Sequence, residues 1–493
     1  MRTAKNSFSE DDAGRGTPDT SRLRTCGLIL AAVLLAYANA LLWGVFQFDD
    51  YNVIIGNPRV HSWAAWWADF GVGIRPLLKL SYTLDWRIGD GAVLPFHLTN
   101  LAIHGINALL VLLLTRHFAS TQARLRPHAD WIAACTALLF ALHPIHSETV
   151  TYISGRSTSL MALFYLLGLL AYVSEPANPE HSSLQHAPPA RRVMRNLRLH
   201  LLVPLCFLLA LAVKETAVTF PFALLLWALC TGDHPRNALR QQWSSWLLLV
   251  AGTLYFLLNP GYAAHLERSA TFNDLGGNLA STALGTAWLL RQWVAPFWLN
   301  IDPDLPVLRD LGITIAALPS LPSLLLLLTL TVTTGLSWQR RPWLAFALAW
   351  LLLQLVPLHL VLPRLDVANE RQMLLAGWPL AMVVASELAL RVKARATTTG
   401  RIIAAALLLC CLVLTIARNL DYRSEIALWE ATARQSPDKA RAHNNLGYAY
   451  AQAGRNAEAR AEYQRALQLD AHDFKARHNL KRLEAETANR PPP

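Results

Sequence analysis

Twelve long apolar runs, separated by short polar and basic segments, decide what this 493-residue chain can fold into. A helix that crosses a bilayer needs about 20 predominantly apolar residues. The first run, residues 26 to 47 (CGLILAAVLLAYANALLWGVFQ), meets that length. The chain is 53% hydrophobic and 16% charged, whereas soluble domains carry about 25% charged residues. That deficit, spread over so many runs, makes an all-α, polytopic membrane helix bundle. The net charge of +11 does not indicate a nucleic-acid partner, because the arginines sit in short clusters between apolar runs, where such clusters set membrane orientation. All six cysteines fall inside or at the edge of apolar runs, so no disulfide framework and no metal site is expected from them.

Residues 1 to 24 read as a polar cytoplasmic tail, with Arg22 and Arg24 holding the entrance of the first span inside. Ala38-Asn39-Ala40 has the form of a signal cleavage motif, but the apolar run continues through residue 46, so an uncleaved span is expected. Basic clusters around Arg116 to Arg126, 191 to 198, 236 to 240, 340 to 341 and 391 to 401 belong to the inner face. With the N-terminus inside, these demand about eleven crossings. Residues 280 to 299, with Arg291 and Pro296, are the run expected to be partly re-entrant. The membrane domain covers residues 25 to 420, a soluble helical unit 421 to 487, and a frayed tail 488 to 493.

Within that unit, Ala440 to Asp473 fits a 34-residue tetratricopeptide repeat, with Leu446, Gly447, Tyr450, Ala459, Tyr463 and Ala466 at the pattern positions. Residues 424 to 437 read as the second helix of a preceding repeat and 474 to 487 as a closing helix. One full repeat is too little to stand alone, so the unit should lean on the membrane domain or on a protein partner.

The charged loops converge on the outer face. Phe48-Asp49-Asp50-Tyr51 ends the first run in two adjacent carboxylates, which repel and resist desolvation, so folding alone does not ask for them. Trp63, Trp66 and Trp67 suit a helix lying in the interface. Arg75 either contacts lipid headgroups or binds a phosphate. His97, Asn100, His104 and Asn107 form a polar stripe on the second span, expected to face other helices. His143, His146, Glu148 and Arg156 follow the third span. His-x-x-His-x-Glu has metal-ligand residue types, but Pro144 interrupts the helix and zinc enzymes use His-x-x-x-His on one. Hydrogen-bond donors around an anionic group fit better. Lys214-Glu215 and the loop 363 to 372, with Glu370 and Arg371, complete the set. A transporter would place such charges near the midplane. At the ends of spans, a carboxylate beside several cations suits transfer of a group from a phosphate-bearing lipid, with the acid as general base and the cations on the leaving phosphate.

FDDYNVIIGNPRV, Arg75-Pro76, FHLTNLAIHGINALLV, ALLFALHPIHSETVTYISGRS, LAVKE and ANERQMLLAG resemble, in order, the motifs of transmembrane O-mannosyltransferases that carry tetratricopeptide repeats. The resemblance covers most of residues 45 to 480 and implies a GT-C-like fold. It further implies a polyprenyl-phosphate-linked sugar donor, mannose, an inverting reaction, an extracytoplasmic Ser/Thr acceptor on protein, and no cofactor or metal. Carried onto this chain, it makes Asp49, then Asp50, the catalytic base. Arg75, Arg156, Lys214 and Arg371 become donor-phosphate ligands, although Gln372-Met373 is less aromatic than the family pattern. His143, His146, Glu148, Glu215 and Glu370 would line the sugar or acceptor pocket. The short repeat unit, where eukaryotic members carry long arrays, implies a bacterial relative in an inner membrane, with a cytoplasmic N-terminus and a periplasmic repeat. Two other readings stay open: a lipid or surface-polysaccharide acceptor, and a non-enzymatic assembly factor that recruits partners through the repeat.

Overall fold

A computed structural model describes residues 18–174, 189–258, 275–308, 320–361, 366–391 and 397–488. Among these the secondary structure is helical, with no strand. Six helices among the described residues are long and apolar enough to cross a membrane: Thr20–Trp43, Leu94–Thr121, Ile153–Val173, Ala190–Val213, Glu370–Arg391 and Thr398–Asp421. A further pair, Arg126–Leu142 and Pro144–Val150, bends by 51°. The proline is the cause, since its ring and missing N–H break the helical ladder. Shorter apolar helices span Glu215–Cys230, Leu321–Ser337 and Pro342–Pro357.

The helices differ in extent from the apolar runs at two places. The run 199 to 213 is short by composition, yet its helix extends back to Ala190, because the basic stretch before it is also helix-forming. Residues 275 to 294 form one unbroken helix, which is not among the helices long and apolar enough to cross a membrane. Arg291 is exposed on its side, lying 5.3 Å from the Trp298 ring, and Pro296 falls after the helix end. Residues 175 to 188, the first part of the loop expected at 175 to 198, and Arg364 lie outside the described residues.

The polar stripe of the second span faces inward. Asn100, His104 and Asn107 are buried and bond, respectively, to the Val150, Ala141 and Ser159 carbonyls at 3.1, 3.1 and 2.9 Å. These three side chains thereby meet partners in a place without water, and His97, the fourth residue of the stripe, is buried as well. Trp227, Trp343, Trp350 and Trp378 fill the bundle interior, with the Trp350 indole N–H donating to the Leu375 carbonyl at 2.7 Å.

The C-terminal unit comprises helices Glu425–Gln435, Ala440–Gln452, Asn456–Leu469 and Phe474–Ala488. Gly447 permits its central crossing: a Cβ there would stand 2.8 Å from the Tyr463 ring. The unit leans on the membrane domain. Asp302 takes Lys439 at 2.5 Å and Arg441 through both carboxylate oxygens, at 2.7 and 2.5 Å, while Arg441 also reaches Asp366 at 2.5 Å. Asn300 donates to the Ser436 hydroxyl at 2.7 Å. The unit therefore sits at the bundle end where the first helix stops, beside residues 47 to 50.

Candidate functional site

One pocket of about 150 Å³ opens at that end, lined by Asp49, Val53, Arg75, Leu78, Tyr82, Ser154, Ser157, Lys214 and Arg371. Its charged members come from four segments far apart in sequence, each at a break between helices. Asp49 follows the first helix, Arg75 precedes the helix Pro76–Gly89, Lys214 follows Val203–Val213, and Arg371 precedes Met373–Arg391.

The acidic loop is tied at every residue. The Asp49 amide donates to the Tyr152 hydroxyl at 3.0 Å. Asp50 is buried and accepts from the Gln47 and Ser154 amides at 3.0 and 2.9 Å, and from the Ser154 hydroxyl. Adjacent acids thus have different environments: Asp49 lines the pocket, and Asp50 holds the loop to the Ser154 turn. Burial pushes the Asp50 carboxyl up to about 7, against the lowering effect of its hydrogen bonds. Phe48 and Arg75, flanking the acid and bearing a cation, both have left-handed backbones, with φ of 46° and 55°. Bulky residues rarely adopt that region, and such outliers persist where surrounding structure over-determines them.

The cations are held by acids behind them. Glu215 receives Arg75 through two parallel bonds, Nε at 3.1 Å and Nη2 at 2.6 Å. Glu148, fully buried, accepts from the Arg371 amide at 2.9 Å and stands 3.5 Å from its guanidinium. Lys214 donates to the Thr158 hydroxyl at 2.7 Å. Glu215 and Glu148 fix two cations without lining the pocket themselves, and a fixed guanidinium is the preorganised partner for a phosphate.

Several expected site residues stand elsewhere. Arg156 is buried in the bundle, 2.5 Å from Asp85, and donates to the Asn100 side chain at 2.6 Å and the Phe96 carbonyl at 2.8 Å. These partners take up its donors and leave it away from the pocket lining. Gly155 produces this split: a Cβ there would be 2.0 Å from the Glu148 carbonyl oxygen. The chain folds back so tightly that Ser154 and Ser157 face the pocket while Arg156 points into the core. His143 meets the Trp293 carbonyl at 2.9 Å and stacks on its ring, and His146 meets the Phe140 carbonyl at 2.8 Å. Both are buried and pin backbone. Glu370 is buried 3.4 Å from Arg418. Among the described residues no group of three or more His, Cys, Asp or Glu is placed to hold a metal.

Sequence reasoning missed Tyr82, Ser154 and Ser157, since isolated hydroxyls in apolar surroundings carry no pattern. It also missed Asp85 and Arg418. Those two had a signal: ionisable residues within apolar helices demand a partner.

Residues 440–473 match the tetratricopeptide repeat family model. A protein O-mannosyl-transferase of Mus musculus is 32% identical over 250 residues, covering 46% of this chain and 25% of that protein. One from Homo sapiens is 36% identical, covering 32% of this chain and 20% of its own length. One from Caenorhabditis elegans is 23% identical over 94% of this chain and 66% of its own length. The matches thus span a quarter or less of the two mammalian relatives. No solved structure matches the chain. By sequence the chain is a homologue of the protein O-mannosyl-transferases, with a tetratricopeptide repeat near its C-terminal end.

Proposed function

We propose that the chain transfers mannose from a polyprenyl-phosphate-linked donor to a Ser or Thr hydroxyl of a protein. The reaction takes place at the membrane face that the pocket shares with the repeat. The observation that carries this reading is the meeting of one carboxylate, Asp49, with Arg75, Lys214 and Arg371 in a single pocket. Asp49 takes the proton of the acceptor hydroxyl. The hydroxyl oxygen attacks the anomeric carbon from the side opposite the phosphate, the carbon–oxygen bond to phosphate breaks, and the configuration inverts. Negative charge growing on the departing polyprenyl phosphate is met by the three cations. Ser154, Ser157 and Tyr82 supply hydroxyls that suit a sugar. Asp50, Glu215 and Glu148 position the groups in front of them.

Positive clusters at the opposite ends of the helices support a cytoplasmic N-terminus and an extracytoplasmic pocket and repeat, in a bacterial inner membrane. The membrane domain at 25 to 420 carries the chemistry, and the repeat unit at 421 to 487 offers a surface for protein.

The test is Asp49→Asn in full-length protein. Transfer should fall by about 10²–10⁴-fold, the usual worth of a general base, with the melting temperature unchanged. A wild-type rate would remove Asp49 from that role. Mass spectrometry of periplasmic proteins from cells lacking the chain identifies the acceptor: lost hexoses on protein support this reading, and loss from lipid or polysaccharide alone overturns it.

A further inference from the structure

The acidic loop is gripped from the side that no membrane-domain motif accounts for. The Phe48 amide donates to both oxygens of Glu425, at 3.1 and 3.3 Å. Glu425 also accepts from the Trp429 indole N–H at 3.0 Å, so the carboxylate is a bridge between the loop and the helix behind it. The Phe48 ring meets Trp429 edge-on, with centroids 5.1 Å apart and planes at 75°. Beneath it lie Tyr152, Ile301, Tyr422 and Leu428. One residue earlier, the Gln47 side-chain amide donates to the Tyr422 carbonyl at 2.6 Å. Glu425, Trp429 and Leu428 all belong to the first helix of the C-terminal unit.

These contacts act on a residue that would not choose its conformation. Phe48 has a left-handed backbone, φ 46°, a region that a bulky side chain leaves unless held. Its holds from the C-terminal unit are the Glu425 bond to its amide and the Trp429 seat for its ring, beside the Tyr51 amide that donates to its carbonyl at 3.3 Å. Release of either lets φ return to the ordinary region. Because Asp49 is the next residue, such a change swings its carboxylate relative to Arg75, Lys214 and Arg371, whose own supports are in the membrane domain.

We infer that the helix Glu425–Gln435 of the repeat unit is a working part of the transfer site, with Glu425 and Trp429 as positioning residues that set Asp49 through Phe48. This inference rests on the reading of Asp49 as the base. It assigns the C-terminal unit a second task beside any recruitment of protein: without it the donor would still bind, but the base would be misplaced.

The experiment compares full-length Trp429→Ala, Trp429→Phe, Glu425→Ala and Leu483→Ala in nanodiscs. Leu483 is a buried residue of the closing helix and serves as a control for loss of repeat stability. The probes are mannosyl polyprenyl phosphate as donor and a Ser/Thr-rich peptide as acceptor. Displacement of a catalytic group by about 1 Å can cost on the order of 10²-fold. Trp429→Ala and Glu425→Ala should therefore lower kcat at least ~10-fold with the donor KM within ~2-fold, and Trp429→Phe should recover most of the rate. Amide exchange at residues 47 to 51, which needs no substrate, should rise in the two alanine variants and stay at the wild-type level in Leu483→Ala. Equal exchange or equal loss of kcat in Leu483→Ala would overturn the inference, as would a wild-type kcat in Trp429→Ala. If Asp49→Asn itself stays active, the base assignment fails, and the exchange data still decide whether the repeat helix holds the loop.

Discussion

Two neighbouring carboxylates show how far environment separates residues of one type. Asp49 lines a pocket with three cations, while Asp50 is sealed against Gln47 and Ser154. An acid raised from 3.8 to about 7 by burial holds its proton more tightly folded than unfolded. Stability is then greatest below the unfolded value and declines as pH rises from about 4 to 7, by on the order of 4 kcal/mol if this group acted alone. Thermal melts in detergent from pH 4.5 to 8 should show that decline, and Asp50→Asn should flatten it. Arg75 supports a second prediction. Its Nε and Nη2 are committed to Glu215, leaving the remaining N–H groups of the fork for phosphate. Arg75→Lys keeps the charge but cannot serve both partners. The donor KM should rise about 10-fold with a smaller change in kcat, worth roughly 1.4 kcal/mol of binding. Donor titration in nanodiscs measures it.

At the scale of elements, the segment 143 to 157 separates what was legible from what was not. Its position beside the acidic loop follows from the alternation of apolar runs and basic clusters, because each crossing returns the chain to a known face. The inward turn of Asn100, His104 and Asn107 likewise follows from helical periodicity. Within the segment, the facing of each side chain depends on a 3-10 turn, Ile153–Gly155, and on the close approach at Gly155. Neither has a periodic signature. Ser154 and Ser157 therefore reach the pocket, while Arg156 serves Asp85. Charge type marked this stretch as important but could not say which residues were supports and which faced the cavity. Arg156→Met tests the division. It strands Asp85, 1% exposed, and loss of one partner of a buried pair costs about 3–5 kcal/mol. The variant should melt far below wild type by tryptophan fluorescence, and Arg156→Met with Asp85→Leu should recover much of the loss. Were Arg156 instead a phosphate ligand, Arg156→Met would melt normally and lose only donor binding.

For the whole molecule, the decisive joint is between the bundle and the repeat unit, since a lone repeat buries too little to persist unaided. Sequence composition marks where the soluble unit begins but cannot show its seat, because the ion pairs that make it join residues 75 to 139 positions apart. Asp302 is central: 6% exposed, it meets both Lys439 and Arg441. The Arg441–Asp366 pair nearby is about two-fifths exposed on both sides, and solvent screening leaves such a pair worth little, about 0–1 kcal/mol. Removal of the Asp302 carboxylate should therefore matter much more than removal of Asp366. Asp302→Ala leaves two cations facing each other with their shared acceptor gone, a loss of about 1–3 kcal/mol in the docked state. That fraction of opening is visible to protease at the exposed Arg423, in the turn between the last membrane helix and Glu425. Trypsin should cut Asp302→Ala there about 5- to 100-fold faster than wild type under conditions where cleavage follows the opened population, and Asp366→Ala no more than a few-fold faster. Equal rates for the two variants would place the joint in the apolar contacts around Phe48 rather than in the charges at Asp302.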